Sequence, residues 1–182
     1  MVSASLSEFG NFTKDDLSLF ESELQFLRLS KQNYLVKEGS VCTALYYLKE
    51  GSLIHFITSI NGEEVIANLY TKGNWLTEFH SFTSQKPSAY TIQAFEDCEL
   101  FELNVESLHK LIKARPAFLV LGKILENTGQ PNLTDYKSPK NKYDWIIKEH
   151  PELILKFPLK YIASYLKITP ETLSRVRAKT IL

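Results

Sequence analysis

The sequence predicts an α+β chain: an N-terminal β-roll or jelly roll with flanking helices, a short connecting helix and a C-terminal helix-turn-helix. Three observations predict it. Glycines fall at 39, 51, 62 and 73, with short β-type runs between them. Helical periodicity takes over from Asn104 onward. The stretch "ITPETLSRVR", residues 168–177, opens a last helix with a proline and gives it a polar face of Glu, Ser and Arg.

The β region is justified by its punctuation. "KEG", "KEG", "NG" and "KG" are turn signals, because glycine reaches positive φ without strain. Between and after them lie "NYLV", "ALYYL", "LIHFI", "VIANLY", "YTIQAF" and "ELFEL". Strands at this spacing read as a roll of about eight strands over residues ~32–103. Ahead of it, "TKDDLSLFESELQFLRL" starts with a capping pattern at Thr13 and Asp16. Leu17, Phe20, Leu24 and Leu27 then predict one amphipathic helix.

After the roll, Asn104 is an N-cap candidate for "NVESLHKLIKARPAFLVLGKILEN", and Pro116 divides that segment into two helices. "TGQPNLTDYKSPKNK" is a loop or linker. "YDWIIKEHPELILKF" is helical again. In "PLKYIASYL", Leu159, Ile162, Ala163 and Leu166 share one face, "KIT" is the turn, and Thr169 and Pro170 start the final helix.

Bulk properties narrow the function classes. The 182 residues carry no formal net charge, but the charge is uneven. Residues 156–182 hold six basic side chains and one acidic, a charge of +5 that residues 1–155 balance with −5. A basic tail suits an anionic partner, although a solvated basic face gives the same count. Cys42 and Cys98 are too few for a disulfide framework, an iron–sulfur cluster or a four-thiolate zinc site. The start "MVSASLSEFGNFTKDD" has no signal-peptide character, and "AFLVLGKIL" is far short of the ~20 apolar residues of a membrane span. The expectation is a cytoplasmic protein with no membrane partner, no cofactor, no metal site and no catalytic residues. An enzyme on a cupin-like barrel would need a cluster of His and Glu; "LIHFITSINGEE" has one histidine. His55, His80, His109 and His150 are read as surface or satisfied residues, and both cysteines as buried small hydrophobes.

The last helix carries the sharpest signal. At about 100° per residue, Leu173 and Val176 point inward, and Glu171, Ser174, Arg175 and Ala178 point outward. Arginine suits guanine O6/N7, glutamate accepts from cytosine N4, and serine adapts. Lys167, Thr169, Arg177 and Lys179 flank this face as phosphate contacts would. The other reading makes Glu171 and Arg175, at i and i+4, a surface ion pair.

"YIASYLKITPETLSRVR" resembles the helix-turn-helix of Crp/Fnr-type bacterial transcription regulators, and its Glu-x-x-Ser-Arg core resembles the Fnr branch. The order of roll, helices and helix-turn-helix is also similar. The resemblance implies a sequence-specific regulator that binds double-stranded DNA as a homodimer, with RNA polymerase a further contact. It makes Glu171, Ser174 and Arg175 the base readers. It divides the chain into a cyclic-nucleotide-binding-like roll with a dimer-type helix (1–127), a linker (128–141) and a DNA-binding domain (142–182). Leu119, Leu121, Ile124 and Leu125 lie on the candidate dimer helix. Three features depart from the family: Lys167 replaces the turn glycine, no wing follows the last helix, and Gly129 and Pro131 interrupt the dimer helix.

The resemblance also locates an effector pocket in "GNWLTEFHSFTSQKPSAY". In the cyclic-nucleotide-binding members a Gly-Glu loop and an arginine hold the ribose and the cyclic phosphate. Here Glu78 remains, Thr77 and His80 replace small residues beside Phe79, and the arginine position falls at Pro87 or Ser88. No arginine occurs between Arg28 and Arg115. The expectation is a degenerate pocket that does not take cyclic nucleotide. A regulatory β-roll protein without DNA binding is the alternative reading of the whole chain.

Overall fold

Two four-stranded antiparallel sheets enclose the main core of the computed structural model, which describes residues 2–128, 133 and 136–180. The strands are β1 (Gln25–Leu29), β2 (Tyr34–Val36), β3 (Ala44–Glu50), β4 (Ser52–Thr58), β5 (Glu64–Thr71), β6 (Trp75–Leu76), β7 (Thr91–Ala94) and β8 (Cys98–Asn104). One sheet has the order β1-β8-β3-β6 and the other β2-β7-β4-β5. The expected α+β jelly-roll architecture with C-terminal helices is therefore present.

All four punctuating glycines, 39, 51, 62 and 73, have positive φ, between 79° and 97°. Gly51 also has no room for a side chain: a Cβ there would lie 2.5 Å from the Asp97 carbonyl oxygen. The β3–β4 turn thus presses against the start of β8, which only glycine permits.

The roll begins earlier than the sequence pattern predicts. Helix α2 (Lys14–Ser22) has the expected capping box between Thr13 and Asp16, but it stops at Glu23. "QFLRL" is strand β1, paired with β8 from Gln25↔Glu102 to Leu29↔Cys98. Leu27 and Leu29 are half-buried while Phe26 and Arg28 are exposed, a period of two that the longer helical match hides. A short α1 (Val2–Leu6) precedes it and buries Leu6 completely.

Strand β4 is buried on both faces. Leu53 joins the core between the sheets, whereas Ile54 and Phe56 join a second core on the outer side. That is why the apolar residues of "LIHFI" do not alternate with polar ones, His55 being the one polar residue among them. The outer core is closed by the C-terminal helices through Tyr143, Ile146, Leu153, Phe157, Ile162, Ala163, Leu166 and Leu173.

Asn104 caps α4 (Val105–Ala114), with its Oδ1 accepting from the Ser107 N–H at 2.8 Å. Past the extended Arg115, Pro116–Val120 form a 3₁₀ turn that runs into α5 (Leu121–Asn127). Leu121 and Ile124 are fully buried in the roll's core, and Leu119 is 64 % exposed. The sequence places Leu119, Leu121, Ile124 and Leu125 together on a dimer helix; Leu121 and Ile124 are instead buried in the chain's own core, and Leu125 packs half-buried against it.

Helix α6 (Pro139–Glu149) starts inside the stretch read as linker, with Ser138 accepting from the Asn141 N–H. The predicted single helix after it is two, because Pro151 opens α7 (Pro151–Lys156) behind a non-helical His150. Helices α8 (Leu159–Tyr165) and α9 (Pro170–Thr180) follow. The interrupting Gly129 and Pro131 lie outside the described residues.

Candidate nucleic-acid interface

The turn between α8 and α9 is built as a helix C-cap. The Ile168 N–H donates to the Ala163 carbonyl at 3.0 Å and the Lys167 N–H to the Ser164 carbonyl at 2.9 Å. This double bond pattern requires a left-handed residue, and Lys167 supplies it with φ of 55°. The side chain of Lys142 from α6 donates to the Leu166 carbonyl at 2.9 Å, closing another free acceptor of α8. Thr169 then caps α9, accepting from the Thr172 N–H at 3.2 Å.

Beyond the turn, Leu173 is fully buried against α6 and α8, and Val176 is half-buried beside it. Glu171, Ser174, Arg175, Ala178 and Lys179 are exposed, as are Lys167 and Thr169. The expected inward and outward sets are thus separated on α9. The guanidinium of Arg175 reaches back to the Thr172 hydroxyl at 3.4 Å. Hydrogen bonds from its own backbone N–H and from Thr169 hold the Glu171 carboxyl below its usual range, with a smaller contribution from the Arg175 charge. Glu171 stays an acceptor at neutral pH, and Arg175 lies beside it.

Arg177 departs from its neighbours. It is half-buried, and its Nε is shielded from solvent without a hydrogen-bond partner. A buried unpaired donor is unfavourable until an acceptor reaches it.

Helix α8 faces the roll, which no sequence pattern showed. The backbone N–H of Ile66 donates to Ser164 Oγ at 2.9 Å, and the Tyr161 hydroxyl donates to Glu64 at 2.8 Å. Phe95 meets Phe157 and Tyr161 at ring distances of 5.2 and 5.9 Å. Lys156 pairs with Glu96 at 2.7 Å. One of the six cations of the basic tail is thereby committed to the roll. The nearest signal in the sequence is the lack of apolar–polar alternation in β4, whose Leu53 joins one core and whose Ile54 and Phe56 join the other.

Three residues of the predicted effector pocket, Glu78, Thr77 and Ser88, are hydrogen-bonded within the roll. Glu78 is buried and caps the short helix α3 (Phe79–Ser84), accepting from the Ser81 N–H at 2.7 Å. The Thr77 hydroxyl donates to the Ala44 carbonyl at 2.8 Å and lies 3.2 Å from Cys42 Sγ. Ser88 is buried and donates to the Tyr90 carbonyl at 2.9 Å. Phe79 is half-buried, and His80 and Pro87 are exposed. Both cysteines are buried; burial raises the Cys98 thiol to about 11.

His55 contradicts its sequence reading. It is 6 % exposed on the inward side of β4, and its Nε2 has no hydrogen-bond partner. Its Nδ1 lies 3.5 Å from the Tyr70 hydroxyl, and the Tyr90 ring meets it edge-on at 5.0 Å. Burial drives its pKa down to about 4. Among the described residues, no group of three or more His, Cys, Asp or Glu could hold a metal ion, and no helix is long and apolar enough to cross a membrane.

Comparison with known proteins places this geometry. Residues 26–115 match the family model of the cyclic nucleotide-binding domain. The cAMP-activated global transcriptional regulator CRP of Salmonella typhimurium is 24 % identical over 108 residues, 59 % of this chain and 51 % of that protein. The chain thus spans about half the length of that curated relative. The solved structure of FixK2 from Bradyrhizobium japonicum superposes with a TM-score of 0.66 at 16 % identity, covering 86 % of this chain and 83 % of that one. The catabolite activator protein of Thermus thermophilus gives 0.57 at 21 % identity over 97 % and 86 % of the two chains. The chain is homologous to CRP in sequence and shares the fold of Crp/Fnr-type regulators.

Proposed function

We propose that this chain is a sequence-specific DNA-binding transcription regulator of the Crp/Fnr type, cytoplasmic and not an enzyme. The observation that carries the reading is the division of α9. Leu173 anchors one side in the outer core, and Glu171, Ser174 and Arg175 stand exposed on the other. These are the residue types that read base edges in a major groove. Lys167, Thr169, Arg177 and Lys179 are the proposed phosphate contacts, the first two and Lys179 from exposed positions and Arg177 from a half-buried one. The DNA-binding part comprises residues 142–182, with the roll and α5 in 1–127 and 128–141 between them.

The roll is proposed not to take cyclic nucleotide, even though the family model that matches it bears that ligand's name. Glu78 is turned to cap α3, Thr77 and Ser88 are occupied by bonds within the roll, and no arginine lies between Arg28 and Arg115. A cyclic phosphate entering there would be desolvated beside a carboxylate with no paired cation. The protein is further proposed to act as a homodimer on two half-sites, since one small helix-turn-helix makes few contacts. Its two-fold contact would have to lie outside the buried face of α5. RNA polymerase is the further partner such a regulator would contact.

Selection of bound fragments from a random DNA pool tests the main reading. A recovered two-fold-symmetric motif is expected; a pool that stays random would refute DNA recognition and favour the regulatory roll without DNA binding. Isothermal titration with cyclic AMP and cyclic GMP tests the pocket, and no saturable heat is expected.

A further inference from the structure

A cleft of about 440 Å³ lies at the seam where α1, the roll and the C-terminal helices meet. Its walls include Tyr47, Asn68 and Trp75 from the roll, and Leu153 and Tyr165 from α7 and α8. Its volume falls in the range of small-molecule sites.

The lining has a definite chemistry. Tyr47 and Trp75 form an aromatic corner with ring centroids 5.1 Å apart. The Trp75 indole is held in place by its Nε1–H, which donates to Ser5 Oγ at 2.6 Å. Tyr165 of α8 also lines the cleft and is 5 % exposed. The charged side chains at the cleft are Glu8 and Glu152, both exposed; among the described residues no lysine or arginine lines it. His150 stands beside Glu152, with its Nδ1 3.6 Å from the carboxylate.

Aromatic faces attract cations, and two carboxylates at a concave opening reinforce the same sign. An anion would meet two like charges and, among the described residues, no lysine or arginine to offset them. We infer that this cleft is a binding site for a small organic cation, an amine or quaternary ammonium carrying an apolar body. The site does not depend on how α9 is read. Because its walls come from both the roll and the helix-turn-helix, an occupant would touch both at once.

The test uses the full chain and benzyltrimethylammonium as probe, followed through the indole N–H signal of Trp75 by NMR, with Trp75→Phe assigning the signal. A saturable shift is expected for the cation, with little response to benzoate or benzyl alcohol. Glu8→Gln with Glu152→Gln is expected to weaken binding at least about tenfold, the scale of losing a nearby countercharge. Both carboxylates are exposed, so the double variant should fold, and added salt gives a second check by weakening the wild-type interaction. No saturation up to about 10 mM, equal response to benzyl alcohol, or insensitivity to both the double variant and salt would overturn the assignment.

Discussion

Ser164 Oγ accepts the backbone N–H of Ile66 at 2.9 Å, so the first helix of the helix-turn-helix supplies a hydrogen bond to the outer strand of the roll. β5 is the last strand in its sheet, and an edge strand exposes N–H groups that must find partners. Ile66 itself is 2 % exposed, so water is a poor substitute. Ser164→Ala should lower unfolding free energy by about 1–3 kcal/mol, the usual penalty for an orphaned buried donor. Chemical denaturation measures it, and amide exchange at Ile66 should accelerate. An unchanged exchange rate at that amide would show that the seam is not closed in solution.

Arg175 and Arg177 should behave differently on DNA. Arg175→Ala should relax base preference and cost about 1–3 kcal/mol on the best site. Arg177→Ala should weaken all sequences alike and flatten the salt dependence by about one unit of slope. Binding isotherms on a panel of sites at several salt concentrations separate them. Equal losses on every site for both variants would remove Arg175 from the base readers.

Lys167 occupies the left-handed position that glycine fills without strain. Lys167→Gly should stabilise the protein by roughly 1 kcal/mol through relief of the Cβ clash. If Lys167 also touches a phosphate, the same change should weaken DNA binding slightly. Thermal melting and a DNA titration on one preparation show whether the two effects part.

His55 should make the protein acid-sensitive. Its folded pKa near 4 lies below the ordinary 6.5, so between these values the unfolded chain binds the extra proton. Its contribution to stability is present above about pH 6.5 and is lost as pH falls toward 4, on the order of 3 kcal/mol in total. His55→Phe should flatten the stability profile in that window. A slope that persists unchanged would assign the acid sensitivity to other groups.

Leu119 and Ile124 should respond in opposite ways to truncation. Ile124→Ala, in the core, should cost about 2–5 kcal/mol of stability. Leu119→Ala, at an exposed site, should cost little. Should a homodimer form through the α5 region, Leu119→Ala would shift its dissociation while leaving the melting of the protomer in place; sedimentation equilibrium reads that shift. A dimer indifferent to Leu119 would place the two-fold contact elsewhere.

Local chemistry was legible in the sequence. The glycine turns, the Thr13, Asn104 and Thr169 caps, the break at Pro116 and the two faces of α9 each depend on residues within a few positions of one another, and each is where the pattern put it. The sequence placed Lys167 where the family has a turn glycine; that it takes up the left-handed backbone, with φ of 55°, is shown by the structure. The choice between helix and strand at "QFLRL" was decided by pairing with β8, some 70 residues away. The inward turn of Glu78, the orphaned nitrogen of His55 and the burial of Leu121 and Ile124 depend likewise on distant neighbours. So does the seam between Ser164 and Ile66. Periodicity shows that a residue has a buried side but not whose surface buries it; the tertiary structure decided that, because burial and hydrogen bonding are set by whichever groups fill the space around a side chain.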